Sequence, residues 1–232
     1  MNDTPLPLAE ALAQAASAIN QGTTLQETLD AIVLATRSSV PGFEHVGISL
    51  THRDGTIETK ARAGDLVPVL DALQYELREG PCYESITTQR DVLVDDIRHD
   101  QRWPRYAPRA VELGLRSQLG LHLYDDGRTI GGLNLYSTSS DEVDPDAVLA
   151  ARLFATHASI ALGHARKEHQ LTEAIASRKV IGQAIGIVME RYQVDEDRAF
   201  QFLVRASSTS NHKLRDVARE LVQASNAAAR RG

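Results

Sequence analysis

The stretch SQLGLHLYDDGRTIGGLNLY (residues 117–136) decides the fold. Along Ser117–Tyr124 and Thr129–Tyr136 large apolar residues alternate with small or polar ones, the period of two that marks strands. The link Asp125-Asp126-Gly127-Arg128 contains an Asp-Gly pair, which suits the positive φ angles of a tight hairpin turn. An antiparallel hairpin is therefore predicted. The same signals recur upstream. His45–Leu50 alternates, Asp54-Gly55 turns the chain, and Ile57–Ala63 returns as a paired strand. Val92–Val94 adds a short strand. Leu66–Leu77 reads as a helix or a loop that Gly80-Pro81 breaks, and the polar run Asp95–Pro108 reads as a loop from which Pro104 can start a helix toward Leu113. Two helices precede the strands. Leu8, Leu12, Ala15 and Ile19 share a helical face that Gly22 ends, and Thr24 caps a helix to about Ser38 with Leu25, Leu29, Ile32 and Val33 facing inward.

Beyond the polar stretch Ser137–Asp146 the pattern becomes helical. Ala147 to about Arg191 holds no proline and reads as one helix, the form of a connector or a dimer stalk, although no strict heptad runs along it. Asp195 caps a helix with Ala199, Phe202, Leu203 and Ala206 on its apolar face, Ser207–Asn211 reads as a loop, and Leu214, Val217, Ala218, Leu221 and Val222 make a third apolar stripe. Three helices of this size hold a core only by combining their stripes. The predicted fold class is α+β: an antiparallel sheet flanked by helices, joined by a long helix to a C-terminal three-helix bundle. The predicted boundaries are an N-terminal helix at 1–22, an α/β module at 23–165, a connecting helix at 147–180 and the bundle at 171–227.

With 42% hydrophobic and 24% charged residues, the 232-residue chain is globular rather than disordered. No apolar run approaches the roughly 20 residues a membrane helix needs. Met1–Ala9 lacks a basic segment followed by an apolar one, so secretion is not expected and a cytoplasmic location is. One cysteine excludes an internal disulfide framework and any multi-cysteine metal site. The net charge of −6 argues by itself against a nucleic-acid partner, but it is unevenly divided. Residues 1–169 carry 15 Lys+Arg against 24 Asp+Glu, whereas residues 170–232 carry 10 against 7. The basic end is either a solvated helix surface or a face for a polyanion.

Catalytic signatures are missing: the chain has no GxSxG, P-loop, GxGxxG or HExxH pattern, and no enzyme activity is expected. Asp95, Asp96, His99 and Asp100 form an acidic cluster whose composition fits turn-capping better than cation binding. His157 and His164 read as ordinary helix histidines. Cys82, just after Gly80-Pro81, opens a short helix whose dipole would favour a thiolate; the competing reading is a buried, inert cysteine. Trp103 either plugs the edge of the core or walls a ligand pocket. Gly182 and Gly186 sit inside a helix at about 1 kcal/mol each relative to alanine. With Ala184 they make a smooth strip for close approach of a helix or a nucleic-acid backbone. Arg178, Lys179, Arg191, Arg198, Arg205, Lys213, Arg215 and Arg219 accompany it and suit phosphates, and Asn211 and His212 can add hydrogen bonds or stacking.

The run Ile181–Arg191 (IGQAIGIVMER), continued by Asp195–Ala199, Phe202–Ser207 and Asn211–Ala218, resembles an ANTAR domain over about Leu171–Ala227. That resemblance implies a three-helix RNA-binding module acting in transcription antitermination on paired RNA hairpins that overlap a terminator. It makes Arg178, Lys179, Gln183, Ala184, Gly186, Arg191, Arg205, Ser210, Asn211, His212, Lys213 and Arg215 the candidate RNA contacts. Where the family often carries a lysine between the alanine and glycine of its first motif, this chain has Ile185. Upstream, Glu79-Gly80-Pro81-Cys82, Val92–Asp96, Arg102-Trp103-Pro104 and Ile130–Tyr136 resemble a GAF domain from about Thr23 to Leu162. That implies a sensor module with a small ligand between the sheet and a covering loop or helix, and Cys82, Tyr83, Trp103, Leu121 and Asn134 become its candidate lining. No cofactor or metal is named by these residues. The order of the two domains resembles that of actinobacterial regulators. The resulting expectation is a cytoplasmic homodimer that binds RNA hairpins; a helical module that binds duplex DNA, or only protein, is the alternative.

Overall fold

The computed structural model describes residues 10, 13, 24–52 and 54–229, apart from the side chains at 169, 170, 228 and 229. Of the helix predicted over Leu8–Ile19, all but residues 10 and 13 lie outside the described residues. The chain divides into two compact units, Met1–Ala165 and Arg166–Gly232.

In the first unit, Thr24 caps α1 (Leu25–Ser39) through a reciprocal capping box with Glu27. Leu29, Ile32 and Val33 are buried as expected, but Leu25 is exposed. Helical side chains tilt toward the helix N-terminus, so one in the first turn points past the end of the layer beneath it. Strands β1 (His45–Thr51), β2 (Ile57–Ala63), β3 (Val92–Val94), β4 (Ser117–Asp125) and β5 (Arg128–Ser137) form one five-stranded sheet in the order β2-β1-β5-β4-β3, and every neighbouring pair is antiparallel. The β4–β5 turn places Asp126 at φ 49° and Gly127 at φ 72°, the two positive angles the Asp-Gly pair predicted. Leu66–Leu77 resolves as a helix, α2 (Val67–Leu77), followed by α3 (Pro81–Thr88), a single 3-10 turn at Ile97–His99 and α4 (Tyr106–Glu112). Gly80 joins α2 to α3 at φ 112°, where a Cβ would come within 2.5 Å of Gln74 Oε1. No other residue type fits that junction without strain.

Both faces of the sheet are covered, so β1 is buried nearly continuously rather than at alternate residues. One face carries Val46, Ile48, Leu119, Leu121, Leu123, Leu133 and Leu135 against α1 and the start of α5 (Pro145–Tyr192), which contributes Ala151, Phe154 and Ala158. Beneath the opposite face a second cluster gathers Val67, Leu70, Ile97, Trp103, Tyr106, Leu115 and Tyr136.

The second unit is built from the later part of α5, α6 (Glu196–Ser210) and α7 (Leu214–Ala229) around Ala184, Val188, Ala199, Leu203 and Ala218. Asp195 caps α6 as predicted, accepting from Arg198 N–H at 2.8 Å. Two expectations fail here. Ser207–Asn211 is not a loop: α6 continues to Ser210, and only Asn211 leaves it, at φ 55°. Phe202 is not in the core but 48% exposed. At about 100° per residue, Ala199, Leu203 and Ala206 share a narrow stripe, and Phe202 falls beyond its edge on the flank that carries Arg198 and Arg205. Among the described residues, no helix is long and apolar enough to cross a membrane.

Candidate functional site

The bundle sorts its positive side chains into two groups. Arg178, Lys179, Arg191, Arg205 and Lys213 are exposed and enter no ion pair among the described residues. Arg198 lies 3.8 Å from Asp195, Arg219 2.8 Å from Asp216, and Arg215 2.9 Å from Glu173. Arg215, expected to meet phosphate, is thus half-buried and tied by Glu173 of α5, so its charge is compensated within the bundle.

The smooth strip is also corrected. Gly182 and Gly186 are one turn apart and face open space, with nothing within 4 Å of where a Cβ would stand, so bundle packing does not require them. Ala184 is fully buried on the opposite side of the helix, because residues two apart point about 200° apart. Its side chain belongs to the core and not to an RNA-facing strip. Arg178 and Lys179 lie one turn before Gly182 and flank the open face, beside exposed Gln183. Ser210, Asn211 and His212 are exposed where α6 gives way to α7. There Ser210 Oγ donates to the Ala206 carbonyl at 2.8 Å and Ser207 Oγ to the His212 carbonyl at 2.6 Å, which fixes the connection.

In the first unit, the candidate ligand residues do not form one lining. Leu121 pairs with Leu133 and shares its face of the sheet, whereas Gly120 and Asn134 face the other way, so the sheet separates Leu121 from the rest. Trp103 is buried; its Nε1–H donates to Glu84 at 3.0 Å and Arg102 caps its ring at 4.3 Å, so it closes the core edge. Tyr83 is half-buried on α3. Cys82 and Asn134 do meet, through a buried polar network absent from the sequence expectations. Its centre is Asp71 of α2, fully buried, whose carboxylate accepts from Thr59 at 2.6 Å, Ser49 at 3.3 Å, Asn134 at 3.1 Å and the Tyr136 hydroxyl. Tyr75 OH links Ser49 (2.5 Å) and Cys82 Sγ (3.3 Å), while Gln74 accepts from Cys82 N–H at 2.8 Å and donates to Tyr136 OH at 3.0 Å. These side chains occupy the space between the sheet and α2–α3. Burial raises the Asp71 carboxyl against the four donors that lower it.

Cys82 opens α3 as expected, but burial, followed by the nearby Asp71 charge, pushes its thiol well above the usual range. The dipole effect is outweighed by desolvation. The folded protein is therefore expected to resist a thiol-exchange reagent at neutral pH and to react fully in denaturant; reaction at the rate of a free thiol in the folded state would contradict this burial. In the acidic cluster, Asp96 accepts from Arg98 N–H at 3.0 Å and its guanidinium at 2.9 Å, Asp100 holds Arg102 at 2.6 Å, and Asp95 accepts from Val143 N–H at 3.1 Å. The carboxylates are engaged in turns, and no group of three or more metal-binding side chains occurs among the described residues. Separately, a groove of about 330 Å³ lies between the β4 edge and α5, lined by residues including Asp91, His122, Tyr124, Arg152 and Ile160.

The comparisons with known proteins follow this division. Residues 22–163 match the GAF domain model, more than half of the chain, and residues 169–222 match the ANTAR domain model. The chain belongs to the GAF family and carries an ANTAR domain. ANTAR domains are a family of RNA-binding antitermination domains and GAF domains are signal-sensing, so the pair makes a regulator. The first unit is similar to solved structures at low identity, which speaks to the fold alone. The free methionine-R-sulfoxide reductase of Neisseria meningitidis is 20% identical at a TM-score of 0.56, covering 69% of this chain and 91% of that one. The phycocyanobilin-bound GAF domain of a cyanobacterial phytochrome is 17% identical at 0.56, covering 71% and 98%. The GAF domain of an Acinetobacter phosphoenolpyruvate-protein phosphotransferase is 15% identical at 0.57, covering 70% and 97%. A comparison with curated proteins gives no match.

Two further features went unread in the sequence. The network of the GAF domain draws Ser49, Thr59, Asp71, Gln74 and Tyr75 from three elements, β1, β2 and α2, and no local motif joins them. The other feature was legible. Along α5, Leu149, Ile160 and Leu171 recur every eleven residues, as do Leu153, His164 and Ile175, and all six are exposed. An eleven-residue repeat, at about 3.67 residues per turn, lies outside the heptad pattern.

Proposed function

We propose that the chain is a cytoplasmic, non-catalytic regulator that binds paired RNA hairpins at transcription terminators as a homodimer, under control of its GAF domain. The observation that carries this reading is the ANTAR match on a bundle whose Arg178, Lys179, Arg191, Arg205 and Lys213 are exposed and without ion pairs among the described residues. Helix positions that favour alanine instead hold Gly182 and Gly186, whose faces are open to a close approach. Bound RNA then holds the hairpin against the terminator, and the polymerase continues.

Within the first unit, the exposed apolar residues Leu149, Leu153 and Ile160 of α5 support the dimer, because a second copy of the chain supplies the same apolar face. For the incoming signal, a ligand placed between the sheet and α2–α3 has to displace hydrogen-bonded Gln74, Tyr75 or Tyr136. The groove lined by Asp91, His122 and Arg152 is open without such displacement.

The test is competition on the full chain, using a labelled RNA recovered by cross-linking in cells. Unlabelled RNA hairpin is expected to compete and duplex DNA not to, and sedimentation is expected to give twice the 25.4 kDa chain mass. Equal competition by duplex DNA would move the reading to a DNA-binding module. Absence of any nucleic-acid binding at low salt would leave a protein-binding one.

A further inference from the structure

We infer that the flank of α6 is a stacking platform for unpaired nucleobases, with Phe202 and Tyr192 taking the base and Arg198 and Arg205 taking the adjoining phosphates. The inference rests on the RNA-binding reading of the bundle and adds to it a second mode of contact, beyond charge.

The bundle core closes around Ala199 and Leu203 and leaves Phe202 outside at 48% exposure. Phe202 is not isolated there. The ring of Tyr192, 55% exposed at the end of α5, lies with its centroid 5.3 Å away at an interplanar angle of 36°. Burying either ring in the bundle would gain apolar contact, yet both present area to solvent. Single exposed apolar residues are ordinary on a surface; a paired set of rings flanked by cations is less so.

The flanks decide what the pair fits. Arg198 precedes Phe202 by four residues and Arg205 follows it by three, so both share its side of the helix. Arg205 has no ion pair among the described residues, and the Arg198 side chain is 78% exposed with Asp195 only at 3.8 Å. Together with Asp197 and Gln201, these residues and Phe202 line a shallow concavity of about 400 Å³. Gln201 and Asp197 offer an amide and a carboxylate to the polar edge of a base. An aromatic floor with arginines on both sides matches a base and its flanking phosphates, because every base offers a π face and each linkage one negative charge. A fully paired stem hides its base faces, so the platform selects loop or bulge nucleotides.

The experiment titrates the full chain against a fluorescein-labelled RNA hairpin with an adenine-rich loop, and against the same hairpin with 2-aminopurine in the loop. The expected result is loss of 2-aminopurine fluorescence on binding, and a weakening on the order of tenfold or more in Phe202→Ala, the scale of one lost base stack. The salt dependence of Phe202→Ala should match that of the parent, and Phe202→Trp should restore binding. Helical content by circular dichroism and the sedimentation profile are compared in parallel. Unchanged affinity and unchanged quenching in a folded Phe202→Ala would overturn the platform while leaving the RNA reading in place. Failure of the unaltered chain to bind any hairpin at low salt would instead remove the RNA reading. If Phe202→Ala changes the mass in sedimentation and not the affinity, the surface is a protein contact and the inference fails.

Discussion

Replacing Arg205 and Lys213 together by glutamate is expected to weaken hairpin binding by about a hundredfold or more at moderate salt. Both side chains are exposed and enter no ion pair among the described residues, so their charge is available to a ligand. Charge-assisted hydrogen bonds contribute about 1.5–3 kcal/mol each, and two of them account for the loss. Reversal also adds repulsion. The sharper readout is the salt slope: each lost phosphate contact lowers the dependence of log K on log salt by about 0.7–0.9, so the double variant should lose roughly 1.5 units. Fold stability should hold, because neither residue is buried or paired. Equal affinity and slope in the variant would show that the polyanion meets another face. Arg215→Glu serves as a contrast: it breaks the pair with Glu173, so it should lower the stability of the bundle before it alters RNA contacts.

The second large effect belongs to Asp71. Its carboxylate accepts from Ser49, Thr59, Asn134 and Tyr136 in a fully buried site, so Asp71→Ala leaves four donors without their acceptor. A loss of about 3–5 kcal/mol in the unfolding free energy of the sensor unit is expected. Asp71→Asn keeps the shape and most of the bonding, and should cost far less. The pH dependence separates charge from shape. Burial raises the folded-state pKa of Asp71 above its ordinary 3.8, so the native state holds this proton more tightly than the unfolded chain does. The associated stabilisation is therefore complete below the unfolded value and is lost as pH rises through the folded one. Asp71→Asn should remove that decline, measured as urea midpoints between about pH 4 and pH 8. A parent and variant with parallel profiles would mean that Asp71 stays charged in the fold.

Much of this architecture is legible in the sequence, and the reason is locality. The β4–β5 hairpin follows from alternation and one Asp-Gly pair, the N-terminus of α1 from Thr24, and α6 from Asp195; each signal sits within a few residues of the structure it specifies. What failed was decided at the margin of an element or between elements. Phe202 and Leu25 carry the residue type of a core position, but a stripe's edge depends on how far neighbouring helices and strands reach. Ala184 looks continuous with Gly182 and Gly186 along the chain and points to the opposite side of the helix.

By itself the sequence determined the α+β class, the antiparallel pairs, the three-helix end and the basic bias of that end, because period and turn chemistry act over a few residues. Only the tertiary structure decided that Arg215 is compensated, that Cys82 is sealed beneath Tyr75 and Asp71, that Leu121 lies across the sheet from Asn134, and that Phe202 faces solvent beside Tyr192. Those outcomes depend on which distant side chains come within 4 Å of one another, and desolvation and charge compensation act at that range whatever the separation along the chain.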